Sequence, residues 1–354
     1  MPNARFVGSG VSVPDREIDN HRLARVMETS DDWIRERSGI ESRRYVEPGV
    51  GSSVLGIEAA RAAIADAELE AEDIDYIVCA TMTPDHYFPG CATLIQHGLG
   101  ISPRPALDIR QQCAGFAYGM QLVDALIRSG QAKNVLLVGT DVHTCLMPFS
   151  EATWELLLGD GGGEITEEEY ASNSRVRNLV VLFGDAAGAM VFTADEREDV
   201  GILGHRLFGD GAEKEILHVP GVGSGRRPWV DEAMLAAGEM VPVMDGRRVF
   251  KLAVTKMPSV TKELLENCGY GIDDVDLLVM HQANLRINEA AQRGLGMPDE
   301  RVHNNIQKYG NTTSATLPLC FHDARAAGKA EPGSLVAFAA LGAGLHWGAV
   351  LVRL

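Results

Sequence analysis

Cys113 lies in the stretch Asp108-Ile109-Arg110-Gln111-Gln112-Cys113-Ala114-Gly115-Phe116-Ala117-Tyr118-Gly119-Met120, which reads as a strand end, a Gln-Gln-Cys corner and an apolar helix running to about Arg128. A cysteine at such a corner meets the unpaired amides and positive dipole end of the helix. That setting is expected to lower the thiol pKa and supply a thiolate nucleophile near neutral pH. Ala114, Gly115, Ala117 and Gly119 are small enough to let the helix run deep in the protein. A lone cysteine is more often buried and inert, so the reading depends on partners. Two far downstream are candidates because they place polar residues where strands should end. His281 is emitted at the tip of the very apolar Leu277-Leu278-Val279-Met280, ahead of Gln282-Ala283-Asn284. Asn311 lies in Tyr309-Gly310-Asn311-Thr312-Thr313-Ser314-Ala315, a turn entering the helix that carries Leu317 and Leu319. Taken singly, each has a plain structural explanation: a hydrogen-bonded core histidine, and a turn asparagine beside glycine.

The whole chain bounds what these residues can serve. Its 354 residues suffice for one large domain or two packed halves. Composition is that of a globular protein, 45% hydrophobic and 23% charged, with 38 glycines that imply many tight turns. A net charge of −17 excludes a general nucleic-acid binder, which needs a basic footprint. No stretch reaches the roughly 20 apolar residues of a membrane span, and the first residues lack a signal-peptide pattern. Cys79, Cys91, Cys113, Cys145, Cys268 and Cys320 are scattered without a C-x-x-C pair, so neither a metal site nor a disulfide framework is expected. The cytoplasm is the expected compartment.

Strands alternate with helices along the chain, which argues for an α/β fold with helices covering sheet. A strand over residues 4–13 comes first, then short helices over 20–28 and 30–36, and an Ala-rich helix to about Ala67. Internal similarity sharpens this. Asp73-Ile74-Asp75-Tyr76-Ile77-Val78 returns as Asp274-Val275-Asp276-Leu277-Leu278-Val279, and Gln96-His97-Gly98-Leu99-Gly100 as Gln292-Arg293-Gly294-Leu295-Gly296. The order is kept and the offsets, 201 and 196, are nearly equal. We therefore expect two duplicated α/β halves, residues 1–195 carrying the nucleophile and 196–354 carrying the histidine and asparagine, packed about one shared site. Between 151 and 176 the glycines and the acidic Glu167-Glu168-Glu169 show neither periodicity and read as a surface insertion. Gly8-Ser9-Gly10 is not a dinucleotide fingerprint, since Val11-Ser12-Val13-Pro14 opens no helix.

With these motifs in order, the sequence resembles the type III β-ketoacyl-acyl-carrier-protein synthases of the thiolase fold. The resemblance rests on the Cys-Ala-Gly-Phe corner, His281-Gln282-Ala283-Asn284, Tyr309-Gly310-Asn311-Thr312, Phe183-Gly184-Asp185 and Gly342-Ala343-Gly344-Leu345-His346-Trp347-Gly348. It implies a layered α-β-α-β-α core, a catalytic triad of Cys113, His281 and Asn311, and a decarboxylating Claisen condensation of an acyl-coenzyme A with malonyl-acyl carrier protein that initiates fatty-acid synthesis. Cys113 would carry the acyl group. The amides of Cys113 and Ala343 would form the oxyanion hole, and His281 and Asn311 would stabilise the enolate left by CO2 loss. No cofactor or metal is implied; coenzyme A comes as the substrate's thioester.

The resemblance also assigns coenzyme A contacts to Thr29, Trp33 and Arg177, the latter two sandwiching adenine, and to Arg37, Gly246, Phe250, Ala283 and Asn284 along the pantetheine channel. Lys251 and Arg286 match carrier-docking positions, in keeping with a locally basic run from Arg247 to Lys256 that would attract an acidic carrier. Phe88 matches a residue that crosses a homodimer interface to close the other subunit's acyl pocket. Several positions depart from the family pattern: Ala343 and Ala186 replace glycines, and Leu341 and Leu345 stand where aromatics are common. These departures leave open a specialised ketosynthase or acyltransferase with an unusual acyl donor. A non-catalytic carrier-binding scaffold is a further alternative, disfavoured because a scaffold needs none of the triad.

Overall fold

A computed structural model describes residues 1–159 and 161–354. Two five-stranded sheets form its frame. The first comprises β1 (Asn3–Ser12), β2 (Tyr76–Ala80), β3 (Ala106–Ile109), β4 (Asn134–Asp141) and β5 (Ala186–Asp195), in spatial order β1-β5-β4-β2-β3. The second comprises β6 (Gly201–Gly209), β7 (Leu277–Met280), β8 (Val302–His303), β9 (Leu335–Gly342) and β10 (His346–Arg353), in order β6-β10-β9-β7-β8. Strand for strand the two orders are the same. So are the directions: β2 is parallel to β3 and β4, β7 is parallel to β8 and β9, and the other pairs are antiparallel. The two halves are copies of one topology.

The helices that matter for the site are α1 (Asp31–Ser38), α2 (Ser52–Asp66), α3 (Ala92–Leu99), α4 (Gly115–Arg128), α5 (Glu151–Leu158), α6 (Glu167–Val180), α7 (Gly246–Cys268), α8 (Leu285–Leu295) and α9 (Thr316–Ala326). Helices α4 and α9 fill the layer between the sheets. Phe116, Ala117 and Met120 of the first and Leu317, Cys320 and Phe321 of the second share a core with Leu137 and Phe192 on one side and Val279 and Phe338 on the other. Helix α2 covers the outer face of the first sheet and α7 with α8 that of the second. Strands β4 and β9 are buried along their whole length, as near-continuous apolar runs between two helical layers must be.

The stretch 151–176, expected to lack regular structure, is largely helical; Asp160 lies outside the described residues. Ser150 accepts from the Thr153 amide and starts α5, whose Leu156, Leu157 and Leu158 are buried with Met27, Ile34 and Tyr45. Thr166 and Glu169 form a reciprocal capping box that starts α6. The acidic run Glu167-Glu168-Glu169 is thus a first helical turn, where the dipole favours carboxylates. No helix among the described residues is long and apolar enough to cross a membrane.

Candidate active site

The duplicated topology delivers two equivalent corners to the centre. In the first half a short 3-10 turn, Gln112–Ala114, precedes α4; in the second, Thr313–Ala315 precedes α9. Gln112 and Thr313 both adopt left-handed backbone, φ 49° and 51°, uncommon for residues with a Cβ and typical of strained functional turns. Cys113 follows the first and Ser314 the second, so Ser314 occupies the position that Cys113 holds in the other half.

Cys113, His281 and Asn311 line one cavity of about 150 Å³ and are 7%, 3% and 5% exposed. His281 stands beyond the end of β7, its backbone amide bonded to the Ala339 carbonyl at 2.8 Å. Its Nδ1 meets Thr316 Oγ1 at 2.7 Å, which leaves Nε2 for the cavity. Burial pushes its pKa down to about 3, so the ring is neutral. Asn311 is held by its backbone to Leu182 and Gly184, and its Oδ1 accepts from the Thr313 amide at 2.9 Å. That bond commits the oxygen and leaves Nδ2 as the donor on the cavity side.

Beneath these residues lies Asp141, at the end of β4 and fully buried. Its Oδ1 accepts from the amides of Met82 (2.7 Å) and Thr83 (3.1 Å) and from the hydroxyls of Thr81 and Thr83. Its Oδ2 accepts from the Ser314 amide (3.0 Å), the Ser314 hydroxyl (2.6 Å) and the Thr313 hydroxyl. One carboxylate therefore ties the loop after β2 to the Asn311 turn of the other half.

The expected low thiol pKa is not what this setting produces. Burial pushes the Cys113 thiol up to about 12, with the Asp141 charge acting in the same direction and the residue's own amide opposing both. Desolvation outweighs the short 3-10 turn, so the thiol is protonated at neutral pH and needs a base. Gly342 presses against this corner: a Cβ there would come 2.8 Å from the Ala114 nitrogen and 2.9 Å from that of Cys113, so only glycine fits.

Gly246, Phe250, Ala283 and Asn284 line the same cavity as the triad, together with Leu341 and Leu345, which belong to this channel. Asn284 also caps α8, accepting from the Arg286 amide and donating to the Arg37 carbonyl at 2.8 Å. Ala343 lies on a second cavity of about 300 Å³, on the other side of Cys113, with Cys113, Phe183 and Leu217 common to both. The expected sandwich of adenine between Trp33 and Arg177 has no gap in this structure. The Arg177 guanidinium lies over the Trp33 ring itself at 5.2 Å and pairs with Glu28 at 3.2 Å, while Arg37 covers the ring at 4.5 Å. An intercalated base needs roughly 7 Å, two van der Waals contacts. Thr29 beside them is a buried hydroxyl with no hydrogen-bond partner among the described residues. Lys251 and Arg286 are exposed on α7 and α8, which also carry the channel residues Phe250 and Ile287. Phe88 is 81% exposed and contributes to neither cavity of its own chain.

Sequence reasoning missed Asp141 and Thr316, whose partners are remote in the chain, and His143. This last residue is 3% exposed on the wall of the second cavity, stacked on Phe183 at 3.6 Å, with both ring nitrogens unpartnered among the described residues. Leaving each unpaired costs about 1–3 kcal/mol. A histidine just past the apolar Val135-Leu136-Leu137-Val138 was the available signal. Elsewhere, Cys79, Cys91 and Asp108 bring ligand-type atoms within 4.8 Å of one another, but the Asp108 carboxylate caps α3 through the Cys91 and Ala92 amides.

Comparison with known proteins identifies the family. The family model for 3-oxoacyl-[acyl-carrier-protein (ACP)] synthase III matches residues 107–173, and that for its C-terminal part matches 265–354. A β-ketoacyl-[acyl-carrier-protein] synthase III of Cereibacter sphaeroides is 39% identical over 350 residues, covering 98% of this chain and 97% of its own. The crystal structure of 3-oxoacyl-[acyl-carrier-protein] synthase III from Aquifex aeolicus superposes with a TM-score of 0.83 at 36% identity, covering 99% of this chain and all of the other. The priming β-ketosynthase of the R1128 polyketide pathway superposes with a TM-score of 0.85 at 29% identity, over 100% and 98% of the two chains. The layered, duplicated architecture is the thiolase fold, and the chain belongs to the β-ketoacyl-[acyl-carrier-protein] synthase III family.

Proposed function

We propose that the protein condenses an acyl-coenzyme A with malonyl-acyl carrier protein to give β-ketoacyl-carrier protein, CO2 and free coenzyme A, the step that initiates fatty-acid synthesis. The observation that carries the reading is the meeting of Cys113, His281 and Asn311 on one buried cavity reached by the Gly246–Phe250 and Ala283–Asn284 segments. In the first half-reaction Cys113 Sγ attacks the thioester carbonyl, its proton passes to His281 Nε2, and the proton then leaves with the coenzyme A thiol. The Cys113 and Ala343 amides hold the oxyanion. In the second, the malonyl carboxylate leaves as CO2, and the bonding pair forms an enolate whose oxygen takes hydrogen bonds from Asn311 Nδ2 and His281 Nε2–H. The enolate carbon attacks the acyl-cysteine, and Cys113 departs as the thiolate and takes up one proton from solvent, the proton that the decarboxylation consumes. No step requires a metal.

Thr316 lets one imidazole serve both halves. Its single proton can go to the Thr313 carbonyl at 2.9 Å or to His281 Nδ1 at 2.7 Å. In the first setting Nδ1 carries hydrogen and Nε2 is a base; in the second Nε2 carries it and is a donor. Pantetheine occupies the shared channel, whose Asn284 bonds the Arg37 carbonyl, and adenine takes the place of Arg177 on the Trp33 face, with Thr29 alongside. Lys251 and Arg286 receive the acidic carrier, and exposed Tyr87, Phe88 and Trp229 make the homodimer contact. Six unpaired cysteines suit a reducing cytoplasm.

The test is CO2 release and product mass with malonyl-carrier protein and a panel of acyl-coenzyme A donors, with Cys113→Ala as control. Cys113-dependent CO2 release and a β-ketoacyl product are expected. Acylation of Cys113 without condensation for every donor would replace the reading with simple acyl transfer.

A further inference from the structure

The cavity behind Cys113 carries a feature that the condensation itself does not use. Its wall is mostly apolar, with Met82, Leu217, Val219 and Pro242, yet it includes His143. The ring is stacked on Phe183 by one face, it lines the cavity, and both buried nitrogens lack a partner among the described residues. Burial holds it neutral, with a pKa near 3. Buried polar groups in native proteins are paired almost without exception. A leucine would fill this place without leaving a donor and an acceptor unmade. An imidazole is retained to advantage here when its hydrogen-bond partner arrives with the substrate.

Resting on the reading above that Cys113 carries the acyl group and the first cavity takes pantetheine, which leaves the second cavity at Cys113 for the acyl chain, we infer that the acyl donor bears a neutral oxygen function, a hydroxyl or keto group, that hydrogen-bonds to His143. A neutral imidazole donates through one nitrogen and accepts through the other, so it serves either oxygen. A carboxylate is a poor match. A buried anion needs a cation, and the two other cation-forming groups on this wall are both engaged at Glu215: Lys214 with its carboxylate at 3.1 Å and His218 Nδ1 with its carbonyl at 3.0 Å.

The experiment is single-turnover acylation of the full-length enzyme, followed by intact mass in the absence of any malonyl thioester. Donors are coenzyme A thioesters in length-matched pairs, butanoyl with β-hydroxybutanoyl and hexanoyl with δ-oxohexanoyl, with succinyl as the charged case. At least one oxygenated donor is expected to acylate Cys113 about tenfold or more faster than its plain counterpart. His143→Leu removes that preference, and His143→Gln, which keeps a donor and an acceptor, retains part of it. Equal or slower reaction of both oxygenated donors, or a preference that survives in His143→Leu, would overturn the inference while leaving the acyl-enzyme intact. Fastest reaction with succinyl would overturn it in favour of a charged chain. Absence of any adduct would remove the acyl-enzyme reading itself, and this inference with it. The wild-type donor pairs decide the matter even if both variants fail to fold.

Discussion

Replacing Asp141 by asparagine isolates what one buried carboxylate does for both halves. The amide keeps a single acceptor oxygen, which is best placed toward the Met82 and Thr83 amides, since neither backbone donor can turn away. Its NH2 then faces the Thr313 and Ser314 hydroxyls and the Ser314 amide. The Ser314 hydroxyl has a second acceptor in the Ala80 carbonyl at 2.8 Å, but the Ser314 amide has none to turn to in the Asp141 cradle. One buried N–H left facing a donor costs about 1–3 kcal/mol, and the remaining bonds lose charge assistance. Breaking a buried charged network of this kind amounts to about 3–5 kcal/mol. At about 2–4 °C per kcal/mol, Tm should fall by roughly 6–20 °C. The damage is directed at the Asn311 turn, so CO2 release from malonyl-carrier protein should fall by about tenfold to a hundredfold. Acylation of Cys113 should suffer far less, because removing the Asp141 charge removes the one influence besides burial that holds the thiol pKa up. Calorimetry, radiolabelled CO2 release and intact-mass acylation read these separately. A Tm within about 1 °C of wild type with unchanged CO2 release would refute the reasoning.

Thr316→Val should slow both half-reactions by about tenfold to a hundredfold with little change in KM for acyl-coenzyme A, and Thr316→Ser should recover most of the loss, as steady-state and single-turnover kinetics would show. Iodoacetamide should alkylate Cys113 at a rate that keeps rising to about pH 10 and has no plateau near neutrality, since burial rather than the helix end sets the thiol pKa. His281 and His143 are both held neutral, near pKa 3 against 6.5 when exposed. The unfolded chain therefore binds more protons between these values, and the stability the two rings contribute is present above pH 6.5 and lost as pH falls toward 3. Urea unfolding of His143→Leu over this range should show a pH slope shallower than wild type by about 1.4 kcal/mol per unit. Arg177→Ala should alter KM for coenzyme A thioesters and leave acylation at saturation nearly unchanged; an unchanged KM would remove Trp33 and its cover from the binding reading.

The duplication and the meeting of Cys113, His281 and Asn311 on one cavity were legible in the sequence because each rests on local pattern. Asp73–Val78 and Asp274–Val279 repeat as strings, and Cys113, His281 and Asn311 stand where apolar runs break. What the sequence concealed depends on distance or on burial. Asp141 and Ser314 are 173 residues apart, and no periodicity announces their bond. The Cys113 corner advertises a helix end, but the thiol pKa follows from how deeply the corner is enclosed, which composition does not reveal. Glu167–Glu169 looked like solvated charge because the reading weighed residue polarity over the Thr166–Glu169 capping pattern that identifies a helix start. Arg177 and Trp33 were correctly neighbours in expectation, yet the room between them is a property of packing alone.

The paired corners bear on how such a site could be inherited. Residues 113 and 314 occupy the same place in two copies of one topology, one a cysteine facing the cavities and the other a serine turned to Ala80 and Asp141. In a dimer of identical half-length units, any substitution at one corner is made at both, so a nucleophile and an anchor could not coexist. Once the halves share a single chain their codons are separate. One corner keeps its sulfur while the other is free to become a tether, and the asymmetry of the reaction is written into a frame that is otherwise symmetric.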